Sequence, residues 1–146
     1  MVKIEPVSAR ILANLKARPE YSDDPNAIGR VYSIWVQNPA RMRALLGKYG
    51  EVIAVIGYSQ LWPGVIEIWA VTSPDIEKYP ISFTRGLQRF LQELVKNNKL
   101  KRIQVTVRQS FSQSIKLFAH LGFEVEATMK SYGPTGENYI LMARVF

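Results

Sequence analysis

The side chains that could support chemistry are concentrated in residues 65–95, which form a hydrophobic strand, a turn with two prolines and an amphipathic helix. Glu67 lies in the strand, where a carboxylate could act as a base toward an amine, although most carboxylates on strands are simply solvated. Beyond the turn, the first N–H groups of the helix are unpaired and its dipole favours anions. The sequence therefore makes this strand-to-helix turn a candidate phosphate site.

Histidine and metal chemistry are weaker alternatives. The chain has no cysteine, and His120 is its only histidine. His120 falls on the side of a predicted helix away from Phe111 and Phe118, so we expect it at the surface. Zinc sites are usually built from several Cys and His ligands, so we expect no metal site. The glycine loop at 133–136 lacks a strand-to-helix context and indicates a hairpin turn instead.

Composition predicts one globular domain. At 146 residues, with 47% hydrophobic and 21% charged residues, the chain is long enough to bury a core as a single domain over residues 1–146. No apolar run approaches the roughly 20 residues that span a bilayer, so we expect neither a signal peptide nor a membrane partner. The absence of cysteine suits a reducing cytoplasm.

The formal net charge of +7 favours anionic partners such as nucleic acid, an acidic protein or a phosphate-rich cofactor. The basic residues are densest at Lys96, Lys99, Lys101, Arg102 and Arg108. These residues straddle a helix end, a turn and a strand, and no aromatic-interleaved nucleic-acid motif accompanies them. We therefore expect only weak, sequence-independent binding to nucleic acid.

Apolar periodicity and turn residues predict an α/β fold with the order β-α-α-β-β-β-α-β-α-β-β. The predicted strands are 2–5, 51–59, 65–72, 100–107, 123–129 and 139–145, with a further strand favoured over 40–47. The predicted helices run from residue 7 to the stop at Pro19, over 27–36, from the proline turn to Asn97, and from a Ser110 cap to Gly122. A polar loop is predicted over 21–26. Residues 40–47 also fit a helix, because Asn38-Pro39 is typical of a helix cap with proline in the first turn.

This order resembles the GNAT (general N-acetyltransferase) fold, and the C-terminal stretch 110–145 carries the resemblance best. There SFSQSIKLFAHLGFEVEATMKSYGPTGENYILMARV is similar to the family's closing helix, its Leu-Gly-Phe turn and its last hairpin. Val71 and Pro74 stand where the family has the strand end and the proline before its cofactor loop. Trp69, the glycine-poor loop and the basic C-terminal half resemble GNAT-like proteins of short-tailed phages, including the internal virion protein type. The resemblance implies a mixed central sheet in one domain.

The resemblance also implies an acetyl-CoA site. In GNAT enzymes, backbone groups at the end of the central strand pair with the pantetheine arm, which places Val71 and Thr72 there. A glycine-rich loop led by Gln or Arg holds the pyrophosphate, and an amine attacks the thioester, often with a carboxylate as base. Glu67 is then the candidate base.

The sequence departs from the family in that loop. Aligned without gaps, the leading position of the family's loop falls on Glu77, and its glycine positions fall on Lys78, Pro80 and Ser82. With a two-residue insertion, the leading position is Tyr79, and the glycine positions are Pro80, Ser82 and Thr84. Neither alignment keeps a glycine, and Pro80 has no N–H to donate. Ser82 and Thr84 still offer hydroxyls, so they are the cofactor-binding candidates if CoA binds.

The second departure is at the family's tyrosine, which protonates the leaving thiolate. Counting back from Leu121-Gly122-Phe123, its position is Phe118, which cannot act as a general acid. From its spacing with Phe111 and Ile115, we expect Phe118 to be buried core.

Two functions follow from these departures. The first is a phage-type GNAT-fold protein with a degenerate acyl-CoA site, non-catalytic or weakly catalytic, acting by binding another protein such as a virion or host component. It would need no cofactor and would be located in the host cytoplasm or within a virion. The alternative is an acetyl-CoA-dependent N-acetyltransferase that transfers an acetyl group to an amine.

Overall fold

A computed structural model of the chain describes residues 2–18 and 26–146. The strands are β1 (Lys3–Pro6), β2 (Met42–Leu46), β3 (Val52–Trp62), β4 (Val65–Thr72), β5 (Arg102–Arg108), β6 (Glu124–Met129) and β7 (Tyr139–Val145). The α-helices are α1 (Ala9–Asn14), α2 (Ala27–Gln37), α3 (Pro80–Asn97) and α4 (Ser112–His120). Short 3₁₀ helices at Pro39–Arg41 and Pro74–Lys78 precede β2 and α3.

The strands form a seven-stranded mixed sheet in the order β1-β2-β3-β4-β5-β7-β6. β4 and β5 are parallel, whereas β1–β2, β2–β3, β5–β7 and β6–β7 are antiparallel. Apart from the 3₁₀ helices, the elements occur in the predicted order. The α/β class and the GNAT-like mixed sheet are therefore confirmed.

The chain divides into two compact units, and the boundaries between them fall within β3, β4 and α3. The first unit comprises Met1–Tyr58 and Ala70–Leu91, and the second comprises Ser59–Trp69 and Gln92–Phe146. The single domain expected from the composition stays a prediction.

The first unit has a core formed by the inner residues of β2 and β3 and by helix side chains. Leu12 of α1, Val31 of α2 and Leu87 of α3 are all buried in it. A Cβ on Gly86 of α3 would lie 2.4 Å from Leu45 Cδ2, and Leu45 of β2 is fully buried. The start of α3 therefore passes close to a core leucine, and glycine permits that approach.

The second unit has one buried sheet face and one half-exposed face. Along β5, Ile103, Val105 and Val107 are buried, whereas the residues that alternate with them are half-exposed. The register with β7 places Ile140 and Met142 on the buried face with them. This period of two is the pattern that predicted the strand.

Element bounds differ from the predictions at the ends of helices and of β3, which continues to Trp62 beyond the predicted end at residue 59. α1 stops at Asn14, because Leu15 is already extended. The ambiguous stretch 40–47 contains both predicted features, since Pro39 opens a 3₁₀ helix and Met42–Leu46 is a strand. The prediction that Ser110 caps this helix was wrong. α4 begins after Phe111, whose side chain makes no cap hydrogen bond. The predicted loop over 21–26 lies outside the described residues except for Asn26.

Candidate active site

The end of β4 is fixed by hydrogen bonds within the first unit. The Ser73 hydroxyl donates to the Val52 carbonyl at 2.7 Å, and the Ser73 N–H donates to the Ile53 carbonyl at 2.8 Å. Val71 and Thr72 are buried, and the Thr72 carbonyl accepts from the Arg18 N–H at 3.1 Å. A carbonyl has two lone pairs, so a pantetheine amide at Thr72 would have to share this oxygen with Arg18.

The turn after β4 is a 3₁₀ helix instead of a glycine loop. Lys78 Nζ lies 3.0 Å from Asp75 Oδ1, and this hydrogen bond raises the pKa of Lys78. Glu77 Oε1 lies 3.8 Å from Arg18 Nη2. The Glu77 carboxylate, which would repel a pyrophosphate, therefore has a guanidinium beside it.

The N-terminus of α3 presents unpaired donors. Pro80 opens the helix, and the first bond inside it runs from the Phe83 N–H to the Tyr79 carbonyl at 2.9 Å. Within residues 2–18 and 26–146, the N–H groups of Ile81 and Ser82 and the Ser82 hydroxyl have no hydrogen-bond partner. These groups can donate to an anion, and the helix dipole favours one there.

Thr84 differs from Ser82 although sequence reasoning treated the two alike. Its hydroxyl donates to the Pro80 carbonyl at 3.1 Å, one helical turn earlier. This local bond is common for threonine inside helices. The Thr84 oxygen can still accept a hydrogen bond, but its proton is already used.

Tyr79 links this turn to the hairpin between β2 and β3, a contact that sequence analysis missed. Its hydroxyl donates to Glu51 Oε1 and accepts from the Lys48 N–H at 3.1 Å. Glu51 Oε2 accepts from the Tyr49 N–H at 3.2 Å. The hydrogen bond lowers the pKa of Glu51 and raises the pKa of Tyr79. We call this contact the Tyr79–Glu51 link.

A groove of about 530 Å³ lies beside the same hairpin in the first unit. Its lining mixes the carboxylates of Glu5, Glu51 and Asp75 with the cationic side chains of Arg10 and Lys16. None of the predicted site residues lines it. The groove therefore gives no independent evidence for the acyl-CoA site.

Glu67 lies in the second unit on the half-exposed sheet face. It is paired in register with Gln104 of β5, and the β4–β5 ladder covers only Val65–Glu67 and Arg102–Gln104. Among the described residues, the Glu67 carboxylate has no hydrogen bond or ion pair. The role of Glu67 as the candidate base stays a prediction.

Phe118 also lies in the second unit, and its predicted burial was wrong. It is half-buried, like Ile115 on the same helix and Phe111 just before it, because α4 presents this side only partly to the core. Its ring contacts Phe123 edge-on, with centroids 5.3 Å apart. His120 is exposed, as expected.

Metal and membrane sites find no support in the part of the chain that the structure describes. Its His, Cys, Asp and Glu residues form no group of three that could hold a metal ion. Its helices include none with the length and apolar character needed to cross a bilayer.

Known structures share this architecture. Ard1 from Thermoplasma volcanium superposes with a TM-score of 0.82 at 15% identity, covering 99% of this chain and 97% of that one. The chain has the fold of the GNAT acetyltransferases, to which other matching structures belong. A ribosomal-protein-alanine N-acetyltransferase from Brucella melitensis matches with a TM-score of 0.75 at 17% identity, covering 99% of each chain.

A third structure carries a ligand. The GNAT superfamily phosphinothricin acetyltransferase from Sinorhizobium meliloti, in complex with AcCoA, matches with a TM-score of 0.75 at 17% identity, covering 99% of this chain and 88% of that one. No protein-family model and no curated protein sequence matches the chain. The predicted GNAT fold is confirmed, whereas the likeness to phage proteins has no support in these structures.

Proposed function

We propose that the chain is an acetyl-CoA-dependent N-acetyltransferase. The observation that carries this proposal is the junction of β4 and α3, where the Ile81 N–H, the Ser82 N–H and the Ser82 hydroxyl lack partners among the described residues. A pyrophosphate requires several donors of this kind at a helix N-terminus. The residues at this turn therefore fit the pyrophosphate of acetyl-CoA, even though the glycines of the family's loop are missing.

Each candidate residue has a role in this proposal. Ile81 and Ser82 would bind the pyrophosphate, and the backbone of Val71 and Thr72 would hold the pantetheine arm. Bound acetyl-CoA would supply an activated acetyl thioester. Glu67, which has no competing partner, would accept a proton from the attacking amine.

Phe118 does not prevent this reaction. The family tyrosine protonates a leaving thiolate, but a thiol has a pKa near 8.5, so a thiolate can leave near neutral pH without a general acid. Phe118 instead packs its ring on Phe123. The missing tyrosine is therefore expected to affect the rate more than the type of reaction.

A second candidate is a GNAT-fold protein that acts by binding and is non-catalytic or weakly catalytic. Pro80, which has no N–H, and the exposed Glu77 carboxylate beside the turn favour it, because both weaken an anion site. A phage virion or a host component as its partner stays a prediction, as does a location in a host cytoplasm or a virion.

Calorimetric titration with acetyl-CoA tests the proposal. We expect saturable binding with a dissociation constant within the usual range of KM values, roughly 1 µM to 1 mM. Ser82→Ala should weaken acetyl-CoA binding about tenfold, because a hydrogen bond to a charged group is lost. It should leave the binding of S-acetylpantetheine, which has no pyrophosphate, unchanged.

Ser33→Ala on the exposed side of α2 is the matched control and should change neither ligand's affinity. No saturable binding of acetyl-CoA by the folded protein would contradict the proposal and leave the non-catalytic candidate. Equal weakening of both ligands by Ser82→Ala would place the pyrophosphate elsewhere.

A further inference from the structure

The half-exposed face of the sheet in the second unit is polar. Its side chains on β5 are Arg102, Gln104, Thr106 and Arg108, each half-exposed and alternating with buried residues. Glu67 and Trp69 of β4 point to this side, because the register pairs Glu67 with Gln104 and strand side chains alternate. We call this surface the polar strand face.

The arginines on the polar strand face are already paired. Arg102 donates from Nη1 and Nη2 to Glu126 at 2.8 and 2.6 Å, and its Nε donates to Gln104 Oε1 at 3.0 Å. Arg108 Nη2 lies 3.6 Å from Glu137 Oε1. These charges are therefore engaged with carboxylates of the same unit.

Two groups on β4 are left without partners. The Glu67 carboxylate has neither a cation nor a donor among the described residues. The Trp69 Nε1–H is covered from solvent and finds no acceptor there. A covered N–H without an acceptor is rare in folded proteins because it loses its hydrogen bonds to water, so this group needs an explanation.

The spacing of these two groups fits one kind of ligand. Residues two apart on a strand lie on the same face, roughly 7 Å apart along it. Glu67 can accept a proton from an amine, and Trp69 can donate only to an oxygen or another acceptor. A ligand that satisfies both carries an amine with a carbonyl or carboxylate oxygen close by.

We propose that Glu67 and Trp69 together recognise the acetyl acceptor and select an α-amino carbonyl compound, that is, a free amino acid or the N-terminus of a peptide. This inference rests on the proposed function. The amine nitrogen bonds to the acetyl carbon, the carbon–sulfur bond breaks, and CoA leaves as the thiolate. The proton lost by the amine passes to Glu67 and then to solvent. Trp69 is the specificity residue: its N–H is covered without an acceptor in the free protein, and the acceptor's oxygen must displace the covering atoms to accept from it.

Net charge supports the same class of acceptor. The chain has a formal net charge of +7, which disfavours polycationic acceptors such as polyamines. A simple alkylamine or polyamine also offers no oxygen to Trp69, so the indole N–H would stay unpaired in its complex. Neither argument applies to an α-amino carbonyl compound.

Acetyl transfer to matched amines tests the inference. Alaninamide and sec-butylamine differ in having a carboxamide or an ethyl group, so their ratio of kcat/KM reports on the carboxamide, which includes the oxygen. We expect Trp69→Phe, which keeps an aromatic ring and removes the N–H, to lower kcat/KM for alaninamide about tenfold, chiefly through KM. The value for sec-butylamine should stay within about twofold. Alanine and a short peptide serve as further acceptors and distinguish a free amino acid from a peptide N-terminus.

Trp62→Phe is the matched control, because Trp62 is 63% exposed at the end of β3. It should change neither amine's kinetics. If Trp69→Phe lowers kcat/KM equally for both amines, Trp69 only packs and the inference is wrong. The inference is also wrong if the wild-type protein has no higher kcat/KM for alaninamide than for sec-butylamine after correction for amine protonation.

A binding readout separates this inference from the proposed function. The indole ¹H–¹⁵N signal assigned with Trp69→Phe should shift when alaninamide is added, and sec-butylamine should not shift it. If the signal shifts but the protein transfers no acetyl group, the recognition site is supported and the proposed N-acetyltransferase function is contradicted. No shift with alaninamide, alanine or the peptide, in the presence of acetyl-CoA, contradicts the inference.

Discussion

Tyr79 holds the turn after β4 against the β2–β3 hairpin, and we expect this to give a pH-dependent contribution to stability. The Tyr79–Glu51 link lowers the pKa of Glu51 below its ordinary 4.5. A carboxyl whose pKa is lower in the fold contributes stability above its unfolded pKa, and this is lost as the pH falls through the folded value. The link also raises the pKa of Tyr79 above 10.0, so its contribution is lost again at strongly alkaline pH.

Tyr79→Phe should therefore reduce the free energy of unfolding at neutral pH. The difference from wild type should shrink as the pH is lowered through the Glu51 titration, because protonated Glu51 no longer holds the link. Urea unfolding at a series of pH values between neutral and about 3 measures both effects. Tyr49→Phe, at an 84% exposed position of the same hairpin, is the control. A Tyr79 variant whose deficit is the same at every pH would show that the link is not electrostatic.

At the residue scale, sequence reasoning identified donor types but not their partners. Ser82 and Thr84 were equivalent as hydroxyls, yet only Thr84 donates to a helix carbonyl. Tyr79 appeared only as an alignment slot, because nothing in the sequence pairs it with Glu51 across 28 positions. The buried, unpaired N–H of Trp69 could not be predicted from the sequence either, since it depends on which atoms surround the indole.

At the scale of elements, the helices contain two glycines in opposite environments. Gly86 of α3 faces Leu45, and an added Cβ would lie 2.4 Å from its Cδ2 atom. Gly29 of α2 has no neighbouring atom within 4 Å of an added Cβ. Alanine is favoured over glycine in a helix interior by about 1 kcal/mol, but forced contacts in a packed core cost about 1–3 kcal/mol.

Gly29→Ala should therefore raise the free energy of unfolding by about 0.5–1 kcal/mol, and Gly86→Ala should lower it by up to about 2 kcal/mol. Chemical denaturation of the two variants beside wild type measures the difference, and each serves as the control for the other. Stabilisation by both substitutions would mean that Leu45 moves aside at little cost.

Turn residues made the bounds of some strands predictable. β4 and β7 have the predicted limits, because turn residues precede each of them: Pro63-Gly64 before β4 and the loop over 133–136 before β7. α1 ended early at Asn14 although its apolar spacing continues to Leu15, since Leu15 is buried in an extended conformation instead. α4 was predicted to bury one face, but its Ile115 and Phe118 are only half-buried.

At the scale of the whole molecule, part of the densest basic cluster is neutralised by carboxylates, so less of the +7 net charge lies there. Arg102 and Arg108, which belong to the densest basic cluster, lie against Glu126 and Glu137. Binding to nucleic acid therefore stays a prediction of weak, salt-sensitive association. The fold was predictable because the local periodicity of apolar residues indicates the order of helices and strands. Catalysis depends instead on groups that the fold brings together.

Amine-dependent release of thiol from acetyl-CoA, with the product identified by mass spectrometry, tests the proposed N-acetyltransferase most directly. We expect the wild-type protein to release CoA in proportion to added alaninamide and to form N-acetylalaninamide. Glu67→Gln should lower kcat about 100-fold or more while leaving acetyl-CoA binding intact, because the base that acts on the acceptor amine is lost and no group that would bind acetyl-CoA changes. Saturable binding of acetyl-CoA without thiol release above the uncatalysed rate, for alaninamide, alanine, a short peptide and sec-butylamine alike, would contradict the enzyme and identify a protein that acts by binding.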